Sequence, residues 1–93
     1  MATSNELVVA HQIGLHARPA AIFVKKAGSF SARITVENLS SGSQPVNAKS
    51  ILGLLSVGVK MNDRIRITAE GIDETEAVAA LSELVASNFG ETA

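Results

Sequence analysis

A histidine and an arginine stand two residues apart at the start of a predicted helix. The run Gly14-Leu15-His16-Ala17-Arg18-Pro19 places a glycine turn before this pair. Proline is tolerated in the first turn of a helix, so the helix should begin near His16 or Ala17. A helix N-terminus has unpaired N–H groups and a positive dipole end, which stabilise a bound anion. His16 and Arg18 are therefore candidates for phosphoryl chemistry.

The two side chains suit different parts of that chemistry. Neutral imidazole is available near pH 7 and can act as a nucleophile that forms a covalent intermediate. The arginine fork pairs with phosphoryl oxygens. The spacing alone leaves an alternative open, in which His16 caps the turn and Arg18 is a solvated charge. With His11 there are only two imidazoles and no nearby carboxylate or thiolate, so we expect no metal site.

A second cluster lies at residues 47–57, which we predict to be a helix that starts at Asn47 or Ala48 and is ended by Gly58. Its apolar residues occupy nearly every face of the predicted helix, and the core cannot cover all of these faces. Leu54 and Val57 can point inward, which leaves an exposed apolar patch suited to a partner. That patch consists of Ile51, Leu52 and Leu55. Ser50, at the start of the helix, is either a plain cap or a modification site.

Composition narrows the classes of function. The chain has 93 residues, 46% of them apolar and 18% charged, which fits one small globular domain without a large internal active site. A net charge of −1 gives no basic field for nucleic acid. The absence of cysteine excludes disulfides, thiolate nucleophiles and zinc-thiolate sites. Without a membrane-length apolar stretch or a signal-peptide pattern, we expect a cytoplasmic protein.

The elements that must position these residues follow from periodicity. Apolar and polar residues alternate at 32–37 and 63–69, which predicts strands. We also expect a first strand at 6–11 and a short edge strand at 44–46, because Pro45 disfavours a central position. A helical stripe runs over 19–26, with Gly28 as its stop, and a last helix opens with a capping box at Asp73 and Glu76 and ends near Phe89. The order of these strands and helices along the chain predicts one α+β domain, in which an antiparallel sheet has helices on one face.

Together these clusters resemble the HPr family, the histidine-containing phosphocarriers of the bacterial phosphoenolpyruvate:sugar phosphotransferase system. The resemblance spans nearly the whole chain. The segment from Gly14 to Ala20 is similar to the family's phosphorylation-site motif, and Ala69-Glu70-Gly71 is typical of the family before the last helix. The regulatory-serine motif is matched by Lys49-Ser50-Ile51, Gly53 and Val57-Gly58.

The resemblance implies an open-faced β-sandwich with a four-stranded antiparallel sheet and three helices on one face. It also implies that His16 takes a phosphoryl group on Nδ1 from phospho-Enzyme I and passes it to Enzyme IIA domains. Arg18 would stabilise the phosphoryl group, with main-chain N–H donors near Ala17 and Arg18. Such a carrier is a stoichiometric intermediate rather than an enzyme, needs no cofactor, and is expected to be a monomer that forms transient complexes.

The docking surface that the resemblance implies comprises Ala17, Ala21, Lys25, Ser50, Ile51, Leu52 and Leu55. In Gram-positive relatives a kinase modifies the serine, which slows transfer and creates a corepressor for a catabolite-control transcription factor. Enteric relatives keep the serine without that regulation. Two alternatives stay open, a binding module regulated at Ser50 and a nitrogen-branch phosphocarrier. A third, an interaction domain without phosphochemistry, is opposed by the histidine and arginine at the helix start.

Two features depart from the family pattern. Ile13 stands where many relatives have a small polar residue that supports the loop before the histidine. The hairpin at 38–44 appears longer than usual and is followed by Pro45. Neither departure touches His16 or Arg18.

Overall fold

A four-stranded antiparallel sheet and three helices form the fold, as the sequence predicts. The computed structural model describes residues 2–10 and 17–90. The strands lie in the order β1-β4-β2-β3, and every pairing is antiparallel. In chain order the elements are β1 (Thr3–Val8), α1 (Ala17–Ala27), β2 (Arg33–Asn38), β3 (Val46–Asn47), α2 (Ile51–Ser56), β4 (Arg64–Glu70) and α3 (Glu74–Ala86), followed by a short 3₁₀ turn at Asn88–Gly90.

The two central strands follow the predicted alternation. Ile34 and Val36 of β2 are buried, as are Ile65, Ile67 and Ala69 of β4, and these five side chains form the sheet side of the core. The helices supply large buried side chains to the same cluster, namely Phe23, Leu54 and Leu81. The alternation predicted these strands correctly because successive side chains on a strand point to opposite faces and only one face of this sheet is buried.

The edge strands differ from prediction in their bounds. β1 covers Thr3–Val8 rather than 6–11, because its ladder with β4 pairs Thr3 with Ala69 and Val8 with Arg64. The apolar run that suggested the later strand includes Val9, which is fully buried but lies beyond the last paired residue. β3 lies at the edge, as Pro45 implied, but consists of Val46–Asn47 only. Proline has no N–H to give to a ladder, so pairing starts after it.

α2 starts later than predicted. It covers Ile51–Ser56, whereas the sequence suggested a start at Asn47 or Ala48. Asn47 instead pairs with Thr35 in the sheet, and its side-chain oxygen accepts a hydrogen bond of 2.9 Å from the Lys49 N–H. This short polar turn delays the helix until Ser50, because asparagine side chains compete for backbone groups outside helices.

The capping box predicted at Asp73 and Glu76 is wrong. Asp73 occupies the N-cap position of α3 but makes no side-chain cap hydrogen bond. Its carboxylate accepts hydrogen bonds from the backbone N–H groups of Ser31 and Ala32, each at 2.8 Å. These hydrogen bonds lower the pKa of Asp73, and the one from Ser31 has the larger effect. The backbone segments around Gly71 and Ala32 approach closely here, since a Cβ on Gly71 (φ +154°) would lie 2.7 Å from the Ala32 Cα atom. α3 also ends at Ala86, before Phe89.

A buried asparagine joins two loops beside the sheet, the one between β2 and β3 and the one between α2 and β4. Asn38 is fully buried, and its side-chain N–H₂ group donates to the Val57 carbonyl at 3.0 Å and to the Asp63 carboxylate at 3.1 Å. Its side-chain oxygen accepts from the N–H groups of Ser40 and Ser41 at 3.1 and 3.3 Å. Hydrogen bonds from the Lys60 N–H and then from Asn38 lower the pKa of Asp63. Full pairing is what a buried amide requires.

Asn38→Ala should lower the free energy of unfolding at pH 7 by about 2 kcal/mol, because it leaves buried polar groups without partners. Gln44→Ala, an exposed change in the same hairpin, should cost less than about 0.5 kcal/mol.

The stability gained through Asp63 depends on pH. Because the folded pKa of Asp63 is depressed, the stabilisation that its carboxylate contributes is present above the unfolded pKa of about 3.9 and is lost as the pH falls through the folded pKa. The gap between wild type and Asn38→Ala should therefore narrow in acid. Urea unfolding at pH 7 and pH 3 measures both effects, and a gap that widens in acid would contradict the assignment.

Candidate functional site

The N-terminus of α1 lies immediately after His16 in the chain. α1 begins at Ala17, in agreement with the predicted start. Ala17 and Arg18 are exposed, whereas Pro19 and Ala20 are buried and fix the first turn against the core. His16 itself, with His11 and Ile13, lies outside the described residues, so the role of His16 stays a prediction. What the structure describes is the exposed helix end that follows it.

The charges of α1 favour an anion at this end. Its first turn contains no acidic residue, and Lys25 and Lys26 occupy its last turn. The positive end of the helix dipole is therefore not neutralised by a neighbouring carboxylate of the helix itself. Pro19 carries no N–H, but the N–H groups of Ala17 and Arg18 belong to the first turn, where no carbonyl of the helix can accept them. An anionic group bound here would meet backbone donors and a nearby guanidinium.

The chain is also held firmly on the other side of residues 11–16. The Val9 N–H donates to the Asp63 carbonyl at 2.9 Å, and the Val9 carbonyl accepts from the Asn62 N–H at 2.7 Å. Asn62 adopts a left-handed conformation with φ 74°, which asparagine tolerates in turns. Asp63 is the residue whose carboxylate bonds Asn38. The histidine segment therefore starts from a point tied to the buried Asn38 network.

The predicted partner surface is exposed on two helices that pack against each other. α1 contacts α2. On α1 the exposed residues Ala17, Ala21 and Lys25 recur every four positions and share a face. On α2 the side chains of Ile51, Leu52 and Leu55 are 42%, 81% and 36% exposed, whereas Leu54 and Val57 point into the core. The predicted division of α2 into an inward and an outward side is confirmed. These six exposed residues are called the docking patch below.

Ser50 is the N-cap of α2. It has an extended backbone, with φ −121° and ψ 121°, and its hydroxyl oxygen accepts a hydrogen bond of 3.1 Å from the Gly53 N–H. Gly53 eases the close packing of this turn, because a Cβ there would lie 3.2 Å from the Asn47 carbonyl oxygen and 3.4 Å from the Ser50 side chain. The capping alternative for Ser50 is thus confirmed as a structural role. Ser50 is half-buried next to Ile51 of the docking patch, and its modification stays a prediction.

Lys49 has a structural role that the sequence did not reveal. Its ammonium group donates to the Phe30 carbonyl at 2.7 Å, and its charge contributes to the lowered pKa of Asp73. The lysine beside Ser50 therefore ties the start of α2 to the loop between α1 and β2. No periodicity or motif indicated the contact, because its partner is a backbone carbonyl 19 residues away.

Neither a metal-ligand cluster nor a membrane-spanning helix occurs among the described residues. Within 2–10 and 17–90, no group of three or more His, Cys, Asp or Glu side chains could hold a metal ion. In the same part of the chain, no helix is long and apolar enough to cross a bilayer.

Comparisons of sequence agree with the geometry. A family model described as the PTS HPr component phosphorylation site matches residues 3–87. The phosphocarrier protein HPr of Mycoplasma pneumoniae is 40% identical over 80 residues, which cover 86% of this chain and 89% of that protein. The multiphosphoryl transfer protein of Salmonella typhimurium is 39% identical over 90 residues, or 97% of this chain. The chain spans about a quarter (24%) of the length of that longer relative.

Solved structures give the same result. A structure of HPr from Thermoanaerobacter tengcongensis superposes with a TM-score of 0.90 at 44% identity, covering 98% of this chain and 99% of that one. An HPr dimer from the same organism has a TM-score of 0.74 at 51% identity, with 84% and 86% covered. The catabolite repression protein Crh of Bacillus subtilis, described as a swapped dimer, has a TM-score of 0.72 at 38% identity, with 87% and 90% covered. Because both dimers are similar to this chain, the expected monomer is not confirmed. The matched motif, the open-faced sheet and the exposed helix end after the histidine agree, and the chain belongs to the HPr family.

Proposed function

We propose that this chain, as one domain over residues 1–93, is a cytoplasmic phosphocarrier of the phosphotransferase system. His16 accepts a phosphoryl group on Nδ1 from the phosphohistidine of Enzyme I, so that one N–P bond forms as the donor's N–P bond breaks. The group then passes to an Enzyme IIA domain by the same exchange. The observation that carries the proposal is the exposed N-terminus of α1, which begins one residue after His16 and has no carboxylate in its first turn.

The construction of this helix end suits a carrier rather than an enzyme with a deep pocket. The N–H groups of Ala17 and Arg18, in the first turn of α1, and the Arg18 guanidinium would stabilise the phosphoryl group from one side. A site that held the group much more tightly would slow its release, because only the transition state should gain from added interactions. Partners complete the site during each transfer. The chain therefore acts as a stoichiometric intermediate and uses no cofactor.

Enzyme I and Enzyme IIA would bind in turn to the docking patch. Its α2 part is apolar, and its α1 part adds Lys25 at the edge. α1 and α2 contain no acidic residue, whereas their basic residues are Arg18, Lys25 and Lys26. A small apolar centre with a charged rim is typical of complexes that must exchange partners. The adjacency of the patch to the α1 N-terminus would align a partner with His16.

Phosphorylation of Ser50 by an HPr serine kinase would regulate this docking. A phosphoryl group on the Ser50 oxygen would place a charge of about −2 next to Ile51 and Leu52. Enzyme I binding would weaken because the apolar patch would gain a charge that its partner has to desolvate.

A second candidate function is a regulatory binding module. In this candidate the Ser50-phosphorylated chain acts as a corepressor of a catabolite-control transcription factor. Its support is the likeness to Crh, whose description names catabolite repression. The presence of His16 in an intact phosphorylation-site motif favours the phosphocarrier as the main function.

His16→Ala should abolish phosphoryl acceptance without unfolding the protein. Intact mass after incubation with phosphoenolpyruvate and Enzyme I should show a single acid-labile phosphoryl group on wild type and none on the variant. His11→Ala serves as the matched control and should accept the group as wild type does. Phosphorylation of folded His16→Ala would refute the assignment of the acceptor, and no phosphorylation of wild type by a competent donor would refute the carrier function.

Ser50→Asp should raise the KM for this chain in Enzyme I-catalysed transfer by about tenfold, which corresponds to about 1.4 kcal/mol. Aspartate is itself a good N-cap, so α2 should stay folded. Ser50→Asn is the matched control because asparagine also caps helices but adds no charge, and its KM should stay within about twofold of wild type. Steady-state transfer assays at varied concentrations of the chain measure both. An unchanged KM for Ser50→Asp, or an equal rise for Ser50→Asn, would contradict the charge mechanism.

A further inference from the structure

The chain turns through a strained backbone after α3. Asn88 and Phe89 both adopt left-handed conformations, with φ 57° and 60°. This region is uncommon for residues other than glycine, and for a bulky side chain it is a clear outlier. The side-chain oxygen of Asn88 is also buried without a hydrogen-bond partner among the described residues. Such costs persist only where surrounding interactions compensate for them.

Burial of Phe89 in the core is one interaction that compensates for this cost. The ring is only 3% exposed and belongs to the hydrophobic core. The 3₁₀ turn that carries it packs against both α3 and α1. The left-handed turn thus returns the chain to the core after α3 has ended and buries an aromatic residue in a turn that lies next to both helices. An extended C-terminal segment would leave that ring in solvent.

α1 needs such a contact because it has few large anchors of its own. Its fully buried residues are Pro19, Ala20, Phe23 and Ala27, and only Phe23 among them has a large side chain. Small residues allow close approach, but each makes few dispersion contacts. Ile22 and Val24 of α1 are only partly buried against the core, so the packing of α1 also depends on neighbouring elements, including the turn that carries Phe89.

We propose that Phe89 is a positioning residue for phosphoryl transfer. It holds α1 in place on the core and so sets the direction of the Ala17 and Arg18 N–H groups, which are the donors proposed above for the phosphoryl group. The inference rests on the proposed function of His16. It extends the determinants of transfer to a C-terminal residue that makes none of the proposed contacts with the phosphoryl group. A small displacement of a site can cost a large factor in rate even when binding is unchanged.

Phe89→Leu tests the proposal, because leucine retains an apolar side chain and the protein should stay folded. The maximal rate of transfer from phospho-Enzyme I should fall by about fivefold to tenfold, while KM stays within about twofold, since the docking patch is untouched. Val36→Ala is the control, a buried truncation in β2. It should leave both the maximal rate and KM within about twofold of wild type at a temperature where all variants are folded.

A second readout does not depend on phosphoryl transfer. In ¹⁵N–¹H spectra the amide signals of Ala17 and Arg18 should shift in Phe89→Leu and stay in place in Val36→Ala. If wild type accepts no phosphoryl group, the proposed function fails, and shifts of these two signals would still report whether Phe89 orients α1. The positioning role is overturned if Phe89→Leu keeps the wild-type maximal rate, if these signals do not move, or if Val36→Ala loses rate equally.

Discussion

The hydrogen bonds of the buried Asn38 side chain join the two halves of the candidate site. Its amide N–H₂ group bonds the carbonyl of Val57, the C-cap residue of α2, and the carboxylate of Asp63. The backbone at Asn62 and Asp63 in turn holds Val9, the last buried residue before the histidine segment. One polar side chain in the core thus fixes both the helix that presents the docking patch and the point from which the chain departs toward His16. An apolar residue of similar size could fill the space but could not satisfy these backbone groups.

The open-faced architecture fits the proposal that a chain of 93 residues binds several partners in turn. The sheet has a polar outer face, where Arg66 lies between Glu6 at 3.2 Å and Glu37 at 3.3 Å. The proposed functional surface lies on α1 and α2, and these helices expose part of their surface while their other sides form the core. α1 offers an anion-stabilising end, and α2 offers apolar side chains that the core does not use. Both features are shallow, which suits a group that has to be received and released.

Features set by local periodicity could be predicted from the sequence. The alternation in β4 and the inward and outward sides of α2 follow from side-chain spacing, and the structure confirms them. Features set by contacts distant in the chain could not be predicted in this way. The bounds of β1 depend on its pairing with β4, and Asp73 bonds backbone groups more than 40 residues away instead of capping its own helix. The role of Asn38 was missed for the same reason, since an asparagine beside a serine- and glycine-rich hairpin looks like a turn residue.

Mapping the contact surface of Enzyme I tests the central claim most directly, namely that the α1 N-terminus and the docking patch form one functional surface. The ¹⁵N-labelled chain would be titrated with unphosphorylated Enzyme I while its amide signals are followed. We expect the affected signals to be those of Ala17, Ala21, Lys25, Ile51, Leu52 and Leu55, with Thr35, Arg66 and Thr68 of the outer sheet face unchanged. Changes centred on the sheet face or on α3, with α1 and α2 unaffected, would contradict the claim.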